Sequence, residues 1–163
     1  MNHESRIPDD AYLAGLEMLA RRELSEAQLR TRLARRKFSE TDIEAAVDRL
    51  SRERALDDRR TALACARTEV AVRRRGRFRV LRRIQSLGIA SETAREAIDE
   101  VFADVDETML LQEALERRLR RGLTLDEPAS VQRIHRYLIA QGFDPASVAM
   151  LLRRRARAAI AEY

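Results

Sequence analysis

The chain has 163 residues, of which 45% are hydrophobic, 36% charged and 4% aromatic, with no tryptophan. That apolar share is enough to bury a core, which excludes a globally disordered chain. Five glycines and three prolines are too few for a turn-rich β-sandwich or barrel, and abundant alanine, leucine, arginine and glutamate favour helices.

The net charge of +5 comes almost wholly from arginine, because Lys37 is the only lysine. A codon bias toward arginine is one explanation of that choice, but it does not explain where the arginines cluster. Cys65 is the only cysteine, so no intramolecular disulfide can form, which fits a reducing compartment. No signal peptide opens the chain and no apolar run is long enough to span a membrane, so we expect a soluble, cytoplasmic protein.

Helical periodicity follows a polar start. Residues 1–10 contain Pro8 and are expected to form a flexible tail. Ser25 and Gln28 have the spacing of a capping box at the start of a second helix, and Ser39 is a cap candidate for a third. The apolar stripes of the three predicted helices are Leu13, Leu16, Leu19 and Ala20, then Leu29 and Leu33, then Ile43, Val47 and Leu50.

This pattern recurs twice, at intervals of about fifty residues. The turn at residues 37–39 (Lys-Phe-Ser) corresponds to residues 88–90 (Gly-Ile-Ala) and 142–144 (Gly-Phe-Asp). Five apolar positions match across all three copies, counting the residue that follows the glycine or lysine. The other four are Leu29, Val80 and Ile134; Leu33, Ile84 and Leu138; Ile43, Ala94 and Val148; and Val47, Ile98 and Leu152.

The sequence therefore predicts an all-α protein made of three tandem three-helix-bundle repeats in an elongated, curved array. The predicted divisions are the tail at 1–10, repeat 1 at 11–57, the basic repeat 2 at 58–104 and repeat 3 at 105–163. Gly88 and Gly142 suit a left-handed residue that closes each middle helix. Lys37 in the same position predicts a first closure that is more strained or differently shaped.

No catalytic pattern is present. The chain lacks a glycine-rich phosphate loop and a nucleophile elbow. His3 lies in the tail, His135 is expected to be structural or solvated, and Cys65 is expected to fill the core. No second cysteine or nearby histidine completes a zinc set. We therefore expect no enzymatic activity, no cofactor and no metal.

Basic charge concentrates between residues 67 and 83, where Glu69 is the only acidic residue. The pattern predicts attraction to a polyanion or to an acidic protein surface, because like charges without compensating acids repel one another. Smaller clusters near Arg117 and Arg154 are equally well explained as solvated faces. The candidate partner-binding residues are Arg67, Arg73, Arg74, Arg75, Arg77, Arg79, Arg82 and Arg83.

The residues also resemble a known family, the bacterial regulatory protein RecX. Residues 56–62 (Leu-Asp-Asp-Arg-Arg-Thr-Ala) are similar to that family's junction between repeats, and residues 87–89 (Leu-Gly-Ile) to its Lys-Gly-Ile closure. The resemblance covers about 13–155. Thr61 stands where the family usually has Phe or Tyr, and Arg77 replaces the proline of its Gly-Pro pair.

The resemblance implies a modulator that lies along the RecA filament on single-stranded DNA and inhibits its ATPase, recombinase and co-protease activities. It implies RecA as the partner, with single-stranded DNA as a further contact, no membrane, and a monomer in isolation. Two alternatives remain open from the residues. One is a helical protein that binds single-stranded or duplex nucleic acid without RecA, and the other is a helical scaffold with another protein partner.

Overall fold

A computed structural model describes the backbone of residues 8–161 and the side chains of residues 10–158. Nine helices and no strand occur within that backbone, so the all-α prediction is confirmed. In chain order the helices are α1 (Pro8–Arg21), α2 (Glu26–Arg35), α3 (Glu40–Arg52), α4 (Asp58–Ala71), α5 (Arg77–Gln85), α6 (Ser91–Phe102), α7 (Glu107–Leu119), α8 (Pro128–Ala140) and α9 (Pro145–Ala161).

Three helices fall within each predicted repeat, and we propose the predicted divisions as the unit boundaries. The helix α1 begins at Pro8, three residues before the predicted start, with its proline in the first turn where a missing N–H has no cost. The rest of the predicted tail, residues 1–7, lies outside the described residues.

The predicted helix caps are present. The Ser25 hydroxyl accepts the Gln28 N–H, and the Gln28 side chain accepts the Ser25 N–H, which completes the capping box. Ser39 caps α3 through the Asp42 N–H, and Asp144 caps α9 through the Ser147 N–H. These local bonds satisfy backbone donors that the first helical turn leaves free, so they fix where each helix begins.

The closing turns after the three middle helices share one conformation. Lys37, Gly88 and Gly142 have φ values of 63°, 80° and 90°. Of the two alternatives predicted for the first closure, the different shape is wrong and the greater strain is supported, because a lysine in this region costs about 1 kcal/mol relative to glycine. The Lys37 side chain is exposed, so it has room that the other two positions lack.

The two glycine turns lie at the junctions between repeats. At the first junction the Ser25 hydroxyl donates to the Leu87 carbonyl, and a Cβ on Gly88 would lie 2.4 Å from the Ala27 Cβ. At the second junction the Gly76 N–H donates to the Gln141 carbonyl over 2.9 Å. In both cases the start of one middle helix packs against the turn that ends the next middle helix.

The buried side chains form two clusters. One cluster belongs to α1–α3 and includes Leu29 and Leu33. The other runs without a break through α4–α9 and includes Ile84 and Leu138. Repeats 2 and 3 therefore share a core, while repeat 1 has its own core and meets repeat 2 through polar bonds such as Thr61 Oγ1 to the Leu24 carbonyl over 3.3 Å.

The third repeat is more open than the other two. The helix α1 packs closely on α3, and α4 on α6, whereas α7 and α9 touch over only a short stretch. Ala62 and Ala66 of α4 correspond to the larger Leu111 and Leu115 of α7, which hold the helices farther apart. An apolar groove of about 170 Å³ lies there, lined in part by Leu111, Phe143 and Leu151.

Truncation of the matched core positions tests the repeat register. Leu33 and Ile84 are both 0% exposed, so we expect Leu33→Ala and Ile84→Ala each to lower the free energy of unfolding by about 2–5 kcal/mol. The prediction that Leu13 and Leu16 lie on the buried face of α1 is wrong, because they are 53% and 39% exposed and Ala11 and Ala14 are buried instead. Leu13→Ala is therefore the matched control and should lower the free energy of unfolding by about 0.5 kcal/mol or less. Urea unfolding measures all three, and wild-type stability in either core variant would contradict the register.

Glycine substitutions separate backbone strain from packing at the junction. Gly122 has a φ of 87° with nothing within 4 Å of an added Cβ, so Gly122→Ala should cost about 1 kcal/mol from conformation alone. A Cβ on Gly142 would lie 2.2 Å from the Arg79 backbone nitrogen. Gly122→Ala is the control. We expect Gly142→Ala to lower the free energy of unfolding by at least about 1 kcal/mol more than this control, measured by thermal or urea unfolding. Equal losses would mean that the junction is not tightly packed.

Candidate partner-binding surface

The eight candidate arginines divide into two groups. Five of them pair with carboxylates, and the partners come mostly from helices that are distant in sequence. The pairs are Arg67 with Glu100, Arg73 and Arg75 with Glu69, Arg74 with Glu113, and Arg77 with Asp99 and Glu107. The expectation that no acids compensate this segment is therefore wrong, because α6 and α7 supply them.

Glu69 is the centre of a buried ionic cluster at the end of α4. Its side chain is 3% exposed, and its carboxylate forms an ion pair with Arg73 at 3.2 Å and accepts a hydrogen bond from Arg75. The Arg75 N–H also donates to the Glu69 carbonyl over 3.1 Å. A buried carboxylate needs such partners, since an unpaired charge in the interior is strongly destabilising. Arg73 and Arg75 thus stabilise the α4–α5 turn.

Arg74 ties the same turn to the third repeat. Its φ of 54° turns the chain, and its Nε donates to Glu113 Oε2 of α7 over 2.9 Å. The hydrogen bond from Arg74 lowers the pKa of the Glu113 carboxyl, with a smaller contribution from the charge of the same guanidinium.

Arg77 is the first residue of α5, and its side chain is 37% exposed and bridges to α6 and α7 at the surface. Its guanidinium contacts Asp99 and Glu107 and lies 4.9 Å from the centre of the Phe102 ring. Proline is favoured at this first helical position because its N–H would be unpaired there, so an arginine can replace it without losing a helical hydrogen bond. The position gives Arg77 an internal role in joining α5, α6 and α7.

The other three candidates lie on α5, where Arg82 and Arg83 are exposed and Arg79 is half-buried beside the turn that closes α8. No carboxylate oxygen among the side chains of residues 10–158 lies within 4.0 Å of their guanidinium groups. Arg79 donates to the Ala140 carbonyl over 2.8 Å, and Arg83 to the Ser86 hydroxyl over 3.4 Å. Together with Arg75 and Ala140 they line a shallow groove between α5 and the end of α8.

This groove is electropositive for a structural reason. Each guanidinium has five N–H donors, and the contacts of Arg79 and Arg83 each use one of them. The Ala140 carbonyl lies at the carboxyl end of α8, where the helix dipole favours a cation. The remaining donors can bind oxygen atoms of an anionic partner in a forked geometry.

Comparisons with known proteins place the chain in a family. A family model described as "RecX, first three-helix domain" matches residues 11–50. The "Regulatory protein RecX" of Trichlorobacter lovleyi is 35% identical over 117 residues, which cover 70% of this chain and 74% of the relative. The chain belongs to the RecX family. The "Regulatory protein RecX" of Syntrophotalea carbinolica is 30% identical over 138 residues, which cover 84% of this chain and 90% of that protein.

Solved RecX structures have the same fold. The crystal structure of RecX from Lactobacillus salivarius matches with a TM-score of 0.76 at 15% identity, covering 90% of this chain and 95% of that one. A second structure, titled as the crystal structure of regulatory protein RecX, matches with a TM-score of 0.78 at 20% identity. It covers 88% of this chain and 70% of the other. The three-repeat helical architecture is thus that of RecX proteins.

One departure from the RecX pattern has a packing explanation. Thr61, at the position where the resemblance led us to expect an aromatic residue, is 4% exposed at the junction of repeats 1 and 2. Its hydroxyl contacts the carbonyls of Leu24 and Asp57, at 3.3 and 3.0 Å. A polar bond therefore stands where RecX relatives are expected to pack an aromatic ring.

Other residues that the sequence singled out, outside the eight candidate arginines, make contacts within the fold. Cys65 is half-buried against the shared core of repeats 2 and 3, and burial raises the pKa of its thiol, which makes it less reactive. Arg118 lies 3.7 Å from the centre of the Tyr137 ring, and Arg155 pairs with Glu116.

No group of His, Cys, Asp and Glu in the described part of the chain could hold a metal, and none of its helices is long and apolar enough to cross a membrane.

Titration of Glu113 tests the internal role of Arg74. In the folded protein the pKa of Glu113 lies below its ordinary value of 4.5, so the pair stabilises the fold near neutral pH and is lost as the pH falls through that lowered pKa. We expect Arg74→Ala to return the pKa to its ordinary range in an NMR titration of the carboxyl carbons. Arg82→Ala is the control and should leave it unchanged. An identical Glu113 pKa in wild type and Arg74→Ala would contradict the contact.

Proposed function

We propose that this RecX protein binds the RecA filament and inhibits its ATPase, recombinase and co-protease activities during DNA repair. The observation that carries the proposal is family membership, because relatives that match most of the chain are named regulatory proteins RecX. RecA acts on cytoplasmic DNA, so the site of action we propose is the cytoplasm.

The repeat architecture supports binding to a polymer. A helical filament presents the same surface at regular intervals, and a chain of three similar units can contact more than one copy of that surface. Once one unit is bound, the others bind at a high effective concentration, so weak individual contacts add up to tight attachment. The shared core of repeats 2 and 3 keeps two of those contacts in a fixed relation.

The contact surface we propose is centred on Arg79, Arg82 and Arg83. Of the eight candidate arginines these three have no carboxylate partner among the described side chains, so a partner's anionic groups do not have to displace one. The other five engage carboxylates within the protein, and their proposed contribution is to hold α5 in place.

A RecA ATPase assay tests both the function and the surface. Wild-type protein should lower the DNA-dependent ATP hydrolysis of RecA. Reversing three charges in Arg79→Glu/Arg82→Glu/Arg83→Glu should raise the concentration needed for half-inhibition by about tenfold or more, since like charges would then face one another. Because Arg79 is half-buried beside Gly142 and donates to the Ala140 carbonyl, Arg82→Glu/Arg83→Glu is tested as well, and it should weaken inhibition in the same direction with an unchanged far-ultraviolet circular dichroism spectrum.

The charge-matched control is Arg21→Glu/Arg52→Glu/Arg95→Glu, on α1, α3 and α6, where these arginines also have no carboxylate partner among the described side chains. It should inhibit within about twofold of wild type. No inhibition by wild-type protein at several-fold molar excess over the filament would refute the function. Equal inhibition by both triple variants would show that the contact with RecA does not lie on α5.

A further inference from the structure

The first helix carries an exposed apolar surface. Leu13 and Leu16 are 53% and 39% exposed, and Ala20 is exposed one turn later. Asp10 and Arg21 are exposed on the same side of the helix, because residues three and four apart are neighbours on a helical surface. This outer side of α1, which we name the α1 face, is apolar in its middle and carries opposite charges at its two ends.

The groove between α7 and α9 is a second apolar surface. Its lining includes the buried side chains of Leu111, Phe143 and Leu151, and Met150 lies at its edge with 62% of its surface exposed. The first and third helices pack closely on each other in repeats 1 and 2, whereas α7 and α9 touch over only a short stretch. Repeat 3 therefore has an open groove where the other repeats have a direct helix contact.

The α7–α9 groove also carries opposite charges at its two ends. Asp144 caps the start of α9 and Glu107 begins α7, so one end is acidic. Arg154 lines the other end, further along α9. Asp10 of the α1 face and Arg154 of the groove are exposed, and neither has an oppositely charged group within 4.0 Å among the side chains of residues 10–158.

The charges of the two surfaces match when α1 and α9 run antiparallel. Asp10 and Arg21 are separated by about 16 Å along α1, at the helical rise of 1.5 Å per residue. Asp144 and Arg154 are separated by about 15 Å along α9 at the same rise. An antiparallel alignment therefore brings Asp10 to Arg154 and Arg21 to Asp144 at the same time.

The same alignment brings the apolar residues together. Leu13 lies one turn after Asp10, and Leu151 lies one turn before Arg154, so the two leucines reach the same level. Glu17 reaches the level of Ser147 at the polar rim of the groove, so its carboxylate does not enter an apolar contact. The pairing has an apolar centre and a charged rim, which is the usual anatomy of a protein–protein interface.

We infer that the α1 face of one copy of the chain docks in the α7–α9 groove of a second copy. The face lies in the first repeat and the groove in the last, so the contact is head-to-tail. A pair joined in this way still has one free face and one free groove, so further copies can add in an open chain. The inference concerns the protein alone and does not depend on the RecA proposal.

The size of the contact indicates a weak association. One helix docked on two buries less than the roughly 1,200 Å² that marks the lower limit of stable complexes, so the contact belongs to the weak class. A monomer at low concentration is compatible with it. A second copy is the occupant that the charges favour, because α1 has an acid and a base at the spacing of the base and the acid of the groove.

Analytical ultracentrifugation of the full chain, without RecA or nucleic acid, tests the inference. The weight-average mass of wild type should rise above that of a monomer, and continue beyond a dimer, as the concentration approaches about 1 mM. Leu13→Glu/Leu16→Glu removes the α1 face, and Thr108→Glu/Met150→Glu removes the groove. Each should weaken association by about tenfold or more, because it places charge in an apolar contact. All four side chains are exposed, so the thermal midpoint should stay as in wild type.

Mixing the two variants separates a head-to-tail contact from a symmetric one. The α1-face variant keeps an intact groove, and the groove variant keeps an intact α1 face. An equimolar mixture should therefore form a one-to-one complex, with the affinity of wild type within about twofold, and should grow no further. The control Val72→Glu/Phe78→Glu makes the same change of net charge at exposed apolar positions of repeat 2, and it should associate like wild type.

A charge exchange tests the antiparallel alignment. Asp10→Arg and Arg154→Asp should each weaken association by about threefold or more, since like charges then face one another. The combined variant Asp10→Arg/Arg154→Asp restores an opposite pair and should return to within about twofold of wild type. A combined variant that associates no better than the single variants would overturn the proposed alignment.

Three further results would overturn the inference. Wild type could remain monomeric over the whole concentration range, the control could lose as much affinity as the other variants, or the mixture could remain monomeric although wild type associates. If wild type remains monomeric and the groove variant alone loses inhibition of RecA, the groove binds a segment of RecA instead of a second copy. Intact self-association by a chain that does not inhibit RecA would refute the RecA proposal and leave this inference standing.

Discussion

The array depends on one contact that recurs at both junctions, where the start of a middle helix packs against the left-handed turn that ends the next middle helix. At the first junction Ser25 bonds to the Leu87 carbonyl, and at the second Gly76 bonds to the Gln141 carbonyl. The approach is so close that neither turn has room for a Cβ at Gly88 or Gly142. The contact joins successive middle helices at equivalent places, although only repeats 2 and 3 share a core.

Ion pairing then decides which charges are available to a partner. The α4–α5 turn carries the densest basic sequence, yet Glu69 and Glu113 engage three of its arginines. That arrangement stabilises a turn that contains Arg74 in a left-handed conformation and fixes the position of α5. The arginines on the outer side of α5 have no such partners among the described side chains. Local density of basic residues in the sequence is thus a poor guide to the charge that a partner meets.

The parts of the fold that depend on local residue order could be predicted. Ser25, Ser39 and Asp144 are caps because of the residues that follow them, and Gly142 closes α8 because glycine tolerates positive φ. The ion pairs could not be predicted, since Arg74 and Glu113 are 39 residues apart and meet only after the repeats pack.

The central claim is that the arginines of α5 that have no carboxylate partner among the described side chains form the surface that meets the partner. Arginine-specific chemical labelling with phenylglyoxal, read by mass spectrometry with and without a RecA filament on single-stranded DNA, tests it most directly. The account predicts that Arg79, Arg82 and Arg83 lose reactivity in the complex, while Arg52 and Arg95 stay reactive. Unchanged reactivity of the α5 arginines in the bound complex, with protection on α3 or α6 instead, would contradict it.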